Sequence, residues 1–111
     1  MAQALELDIF HKPLCYRLCE ASIQRELIDA SSFRGIGKTH ALVEFAKNYD
    51  LDVIVNNDNI ARLLREREDY GRIYSQNNLI GTRIKRAVVD EEVNLDKIPS
   101  HIDVVTGFVR S

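Results

Sequence analysis

The chain has 111 residues, 45% of them hydrophobic and 29% charged, which suits one globular domain over residues 1–111 and excludes two. Its formal net charge of -2 argues neither for nor against a polyanionic partner, because the distribution of charge matters more than its sum. No apolar run approaches the roughly 20 residues that span a bilayer, and the acidic N-terminus lacks the pattern of a secretory signal, so we expect a cytoplasmic protein without a membrane segment.

The first half of the chain alternates strand and helix patterns. Residues 5–9 alternate apolar and acidic side chains, which is typical of a half-exposed strand. Residues 13–24 begin with proline and carry apolar side chains at helical spacing, which predicts a helix. Residues 26–30 form a short strand pattern. Residues 39–49 repeat apolar side chains at helical spacing without an internal glycine or proline, which predicts a second helix.

The second half continues the alternation. Residues 51–57 contain a continuous β-branched run, which is typical of a strand covered on both faces, and residues 59–74 have the pattern of a helix. Residues 86–93 and 101–110 predict two more strands. Strands that alternate with helices predict parallel pairing through helical crossovers. We therefore expect an α/β fold with a parallel sheet of about four strands and flanking helices.

A glycine-containing loop precedes the second helix. Residues 32–39 read Ser-Phe-Arg-Gly-Ile-Gly-Lys-Thr, and they match the phosphate-loop pattern at every position but the first, where glycine is usual. In that pattern, backbone N–H groups surround the phosphates and the following helix adds the positive end of its dipole. Lys38 would reach the β- and γ-phosphates, and the Thr39 hydroxyl would bind Mg²⁺. We expect Ser32 to change the affinity of the loop for nucleotide rather than to abolish binding. The alternative interpretation of the loop is a glycine turn that caps an unrelated helix.

Two motifs resemble those of a known family. Residues 32–40, ending in Gly-Lys-Thr-His, resemble the loop of P-loop ATPases. With His40 after the threonine, the loop is similar to that of AAA+ replication initiators and helicase loaders. Residues 87–91, Ala-Val-Val-Asp-Glu, resemble the Walker B strand of these families. The resemblance implies that Asp90 supports Mg²⁺ and that Glu91 polarises the attacking water. It also implies a P-loop NTPase-like fold, in a minimal or truncated form of the kind that small phage-encoded proteins carry.

The resemblance implies a role for each of several site residues. Lys38 and Glu91 are expected to be catalytic, and Thr39 and Asp90 to hold Mg²⁺. Thr106, in the last strand pattern, lies near the place of sensor 1, a polar residue that faces the γ-phosphate. The residues expected to bind the nucleotide are Ser32, Phe33, Arg34, Gly35, Ile36, Gly37, Lys38, Thr39 and His40.

The resemblance also implies an order of strands. In ATPases with a catalytic glutamate, the strand that bears sensor 1 lies between the loop strand and the Walker B strand. The expected order is therefore 53–56, 87–90, 103–108 and 26–30, with the last of these at an edge. An uncovered edge invites pairing, so we expect either residues 5–9 or the same edge of a second subunit to cover it, and the second case would give a homo-oligomer.

A basic segment lies between residues 60 and 86. Three acidic residues (Glu66, Glu68 and Asp69) accompany seven basic ones, which are Arg62, Arg65, Arg67, Arg72, Arg83, Lys85 and Arg86. Charged residues normally line the exposed face of a helix, so one interpretation is a solvated face. The other is a nucleic-acid patch from Arg62 to Arg86, in which Tyr70 and Tyr74 stack on the bases of a single strand.

Together these features predict that the protein binds ATP or another purine nucleoside triphosphate with Mg²⁺. We expect slow hydrolysis, because the sequence offers no clear arginine finger or lid to stabilise transition-state charge. The alternative is a non-catalytic module that keeps the ATPase core as a scaffold and that binds and regulates a partner ATPase or replication protein. Ser32 favours this alternative, whereas the four intact motif residues favour the nucleotide binder.

Overall fold

The computed structural model describes residues 18–29, 38–79 and 81–109. Within these ranges the helices are α1 (helical residues 18–24), α2 (Lys38–Tyr49) and α3 (Asp58–Arg67). The strands are β1 (Ile28–Asp29), β2 (Asp52–Val55), β3 (Ile73–Ser75), β4 (Arg86–Val89) and β5 (Asp103–Val109), and short 3₁₀ helices span Gln76–Asn78 and Leu95–Lys97. The predicted strand over residues 5–9 lies outside the described residues.

Local chemistry accounts for the start and end of α3. Asn57 precedes the helix in an extended conformation, and its side-chain oxygen accepts a hydrogen bond from the Ile60 N–H at 2.9 Å, which satisfies one of the free donors of the first turn. Asp58 lies in the first turn and Arg65 and Arg67 lie in the last, as the helix dipole favours.

No helix in the described residues is long and apolar enough to cross a membrane.

In the part of the chain that the structure describes, the sheet has five strands, all parallel, in the order β1-β5-β4-β2-β3. The α/β fold and the order of four strands are thus as predicted. β3 is an additional strand, because the helix predicted over residues 59–74 ends at Arg67 and Ile73 pairs instead with Val53 of β2. Asp69 adopts a left-handed φ of 50°, which stops the helix and lets the chain return to the sheet.

The two faces of the sheet are covered differently. The three helices pack on one face, where they bury side chains that include Leu18, Leu42, Leu64, Val53 and Val88. The other face is covered by the connections around β4 rather than by helices, and its buried side chains are Ile54, Leu79, Ile84, Ala87, Val89 and Ile102. Burying each large aliphatic side chain contributes about 1.5–3 kcal/mol, so both faces hold the sheet in place.

Gly107 allows β5 to approach β4 closely at the end that carries the acidic residues. Its φ is +153°, and a Cβ atom there would lie 2.2 Å from the Val89 carbonyl oxygen and 2.7 Å from the Val89 nitrogen. The pairing of the two strands also shifts register between Ala87 and Val88. Only glycine fits this approach without movement of the backbone, and Val89 directly precedes Asp90.

Candidate functional site

The two predicted motifs meet at the edge of the sheet where the parallel strands end. Lys38 and Thr39 are the first two residues of α2 in the described range, and Asp90 and Glu91 directly follow β4. The Asp90 N–H donates to the Ile54 carbonyl oxygen at 3.1 Å, which continues the ladder between β4 and β2 by one residue. The carboxyl edge of a parallel sheet is where α/β proteins commonly bind ligands.

Thr39 and Asp90 are in direct contact. The Thr39 hydroxyl donates to Asp90 Oδ2 at 3.3 Å, and the Glu91 N–H donates to Asp90 Oδ1 at 2.9 Å. Burial raises the pKa of the Asp90 carboxyl, although these two hydrogen bonds act in the opposite direction by stabilising the charged form. Burial of the charged Asp90 carboxylate therefore costs the folded state free energy. Shifted pKa values of this kind are common at functional sites.

Lys38 and Glu91 form the second contact between the motifs. The Lys38 ammonium lies 3.4 Å from each of the two Glu91 carboxylate oxygens. The Lys38 side chain is 13% exposed and that of Glu91 is 25% exposed, so the pair is shielded from much of the solvent. The site thus gathers one ammonium group, one hydroxyl group and two carboxylates.

A group of polar residues that was not predicted from the sequence lies next to the turn that follows β4. This turn spans residues 90–94 and is called the acidic turn below. Gln76 directly follows β3 and is buried. Its Nε2 donates to Asn56 Oδ1 at 2.9 Å, and its Oε1 accepts from the Asn94 N–H at 2.6 Å. Asn56 directly follows β2. Polar residues that follow buried strands are the sequence signal for such a group, but β3 itself was missing from the prediction.

Two expected site residues, Thr106 and His40, contact other parts of the molecule. The Thr106 hydroxyl is fully buried and donates to the Glu26 carbonyl oxygen at 2.8 Å, before the start of β1, so the sensor 1 interpretation of Thr106 is wrong. The Nδ1 atom of His40 lies 3.0 Å from both carboxylate oxygens of Glu68, at the C-terminus of α3. The His40 ring therefore contacts the C-terminus of α3.

The remaining loop residues stay predictions. Ser32, Phe33, Arg34, Gly35, Ile36 and Gly37 lie outside the described residues, and their predicted contacts with phosphate are untested. Of the predicted nucleotide-binding set, the structure describes Lys38, Thr39 and His40. Lys38 and Thr39 contact Glu91 and Asp90, and His40 contacts Glu68.

The donor chemistry of the site suits Mg²⁺. Thr39 and Asp90 offer a hydroxyl and a carboxylate oxygen, which are the hard ligands that this ion prefers. The described residues contain no group of three or more His, Cys, Asp or Glu side chains that could hold a metal by themselves. Mg²⁺ commonly uses one or two protein carboxylates together with substrate phosphates and water, so Thr39 and Asp90 fit a site completed by a nucleotide.

The basic segment is divided between two parts of the molecule. Arg62, Arg65 and Arg67 belong to α3, whereas Arg83 and Lys85 lie in the connection that enters β4. At the amino edge of the sheet a cavity of about 230 Å³ is lined by Asp50, Asp52, Arg72, Arg83, Lys85 and Arg86. Arg72 is paired there with both aspartates. The carboxylates offset part of the positive charge, and nucleic-acid binding by this segment stays a prediction.

The helices and the all-parallel sheet define an α/β protein with a cluster of polar and charged side chains at the carboxyl edge. Comparison with known proteins finds no family model, no curated protein and no solved structure that matches the chain. The chemistry of the cluster itself is therefore the basis for a proposed function.

Proposed function

We propose that the protein binds ATP or a related purine nucleoside triphosphate together with Mg²⁺, and that it hydrolyses the nucleotide slowly. The observation that supports this most strongly is the meeting of two separate motifs. Thr39 contacts Asp90 and Lys38 contacts Glu91, across separations of 51 and 53 residues. A chance match to either motif gives no reason for these four side chains to lie together.

Each of the four side chains has a distinct role in this proposal. The Lys38 ammonium exchanges the Glu91 carboxylate for the β- and γ-phosphate oxygens, which carry more negative charge. The Thr39 hydroxyl and the Asp90 carboxylate hold Mg²⁺, which neutralises charge on the phosphates when it is bound. Glu91, released from Lys38, orients a water molecule and accepts its proton during attack on the γ-phosphate.

Slow turnover follows from the balance of charge in the cluster. Among the described residues of the site, Lys38 brings one positive charge beside the carboxylates of Asp90 and Glu91. Phosphoryl transfer is accelerated most when further cations, such as an arginine finger, stabilise the transition state. We therefore expect binding to be readily measured and hydrolysis to need long incubation or single-turnover conditions.

Titration calorimetry with the full chain tests the proposal. We expect heat of binding with ATP and Mg²⁺, and Lys38→Ala should weaken the affinity by about 10- to 150-fold, which corresponds to about 1.5–3 kcal/mol for hydrogen bonds to a charged group. Lys85→Ala is the matched control, because Lys85 is exposed and enters β4 from the opposite edge. Equal affinity in the parent and Lys38→Ala would contradict the proposal, and absence of binding in the parent would favour the non-catalytic module.

A further inference from the structure

The turn that carries the acidic residues is fixed at both ends. At its start, the Asp90 N–H donates to the Ile54 carbonyl oxygen at 3.1 Å. At its end, the Asn94 N–H donates to Gln76 Oε1 at 2.6 Å. Within the turn, the Val93 N–H donates to the Asp90 carbonyl oxygen at 3.2 Å. Glu91 lies between the two fixed points, so its position depends on both.

Gln76 is itself held on two sides. The residue is 8% exposed and begins the short helix that follows β3. Its Nε2 donates to Asn56 Oδ1 at 2.9 Å, beside the end of β2. Because the Asn94 N–H needs an acceptor, the amide must direct its oxygen at Asn94 and its nitrogen at Asn56. One buried side chain therefore ties the far end of the acidic turn to the ends of two strands.

We infer that Gln76 is a positioning residue for Glu91, an inference that rests on the proposed hydrolysis of nucleotide at this site. The bond to Asn94 restricts the turn so that the Glu91 carboxylate stays beside Lys38, where the attacking water is to be oriented. Displacement of a catalytic group by about 1 Å can cost about 100-fold in rate. The Gln76 amide is bonded to Asn56 and to the Asn94 N–H, at the far end of the turn from Asp90, so nucleotide affinity should depend on it little.

Three variants separate positioning from general stability. Gln76→Leu keeps the approximate volume and removes both hydrogen bonds. Gln76→Glu keeps the acceptor for Asn94, and rotation of the Asn56 amide supplies it with a donor, so this variant should restore function. Asn77→Leu makes the same apolar change at the next residue, which is exposed, and serves as the matched control.

We expect single-turnover hydrolysis of Mg·ATP by Gln76→Leu to fall by about 10- to 100-fold, with the dissociation constant changed by less than about threefold. Gln76→Glu should recover most of the rate, and Asn77→Leu should retain it. A rate loss in Gln76→Leu matched by equal loss of affinity, or no loss at all, would overturn the inference. So would a failure of Gln76→Glu to recover while its melting temperature equals that of the parent.

Amide hydrogen exchange tests the anchor without a variant and without nucleotide. In the parent, the Asn94 N–H should exchange at least about tenfold more slowly than an exposed turn amide, because its acceptor is a buried side chain. Rapid exchange would overturn the inference even if Gln76→Leu does not fold. If the parent hydrolyses Mg·ATP and Gln76→Leu keeps the full rate, this inference alone fails. A parent that binds Mg·ATP without hydrolysing it would also contradict the hydrolysis in the proposed function, and a parent that does not bind the nucleotide would contradict that function entirely.

Discussion

The Thr39 hydroxyl lies 3.3 Å from the Asp90 carboxylate, although 51 residues separate the two along the chain. The contact exists because β4 runs beside β2 in the sheet, so that the end of β4 lies next to the start of α2. A hydroxyl and a carboxylate so placed can hold a divalent cation between protein and phosphate.

Replacement of Glu91 should separate binding from hydrolysis. In Glu91→Gln the amide cannot accept a proton from water, so we expect turnover to fall by about 100- to 10,000-fold. ATP affinity should stay the same or rise, because Lys38 loses the carboxylate that it contacts. Glu92→Gln is the control at the adjacent, exposed position. Single-turnover assays that give equal rates for the parent and Glu91→Gln would remove Glu91 from the mechanism.

Asp90→Asn should stabilise the protein without ligand at neutral pH. Burial raises the folded-state pKa of Asp90 above its unfolded value, so the folded state favours the protonated form. The contribution of Asp90 to stability is therefore greatest below its unfolded pKa, near 3.9, and is lost as the pH rises through the folded pKa. The asparagine variant avoids this loss: its one amide oxygen can accept from the Glu91 N–H, and its amide nitrogen can donate to the Thr39 hydroxyl oxygen.

Melting temperatures between pH 3 and pH 8 measure this effect. The advantage of Asp90→Asn over the parent should appear at neutral pH and shrink below about pH 4, where the carboxyl is protonated in both states. Asp96→Asn, at an exposed position in the same connection, should follow the parent. A parent that is more stable than Asp90→Asn at pH 7 would show that the charged carboxylate stabilises the fold.

Gly107→Ala should destabilise the fold and displace the acidic turn. The new Cβ would meet the Val89 backbone at 2.2 Å in a conformation that other residues rarely adopt, and overpacking of this kind costs about 1–3 kcal/mol or more. Gly71→Ala is the matched control, because a Cβ there has no heavy atom within 4 Å. Denaturant unfolding that gives the two variants equal stability would contradict the close approach of β4 and β5.

The sequence predicted a large part of this arrangement. Apolar runs and helical spacing were enough for α2, β2, β4 and β5. The two motifs assigned Lys38, Thr39, Asp90 and Glu91 to one site, and the structure brings these side chains together. β3 was missed because apolar Tyr70 and Ile73 continue the helical spacing of α3, which outweighed Asp69 and Gly71, two residue types that often end helices. Thr106 was misplaced because the register shift between β4 and β5 alters which side chain faces which neighbour.

The central claim is that Thr39 and Asp90 act together on one cation in a nucleotide site. The measurement that tests it most directly is the ratio of the ATP dissociation constants without and with Mg²⁺, determined for the parent, Thr39→Val, Asp90→Asn and the double variant. Mg²⁺ should tighten ATP binding by the parent, and each single variant should lose most of that gain. Because the two groups share one ion, the double variant should lose little more than either single variant, and Thr39→Ser should keep the gain. Mg²⁺ dependence that survives in both single variants would contradict the account.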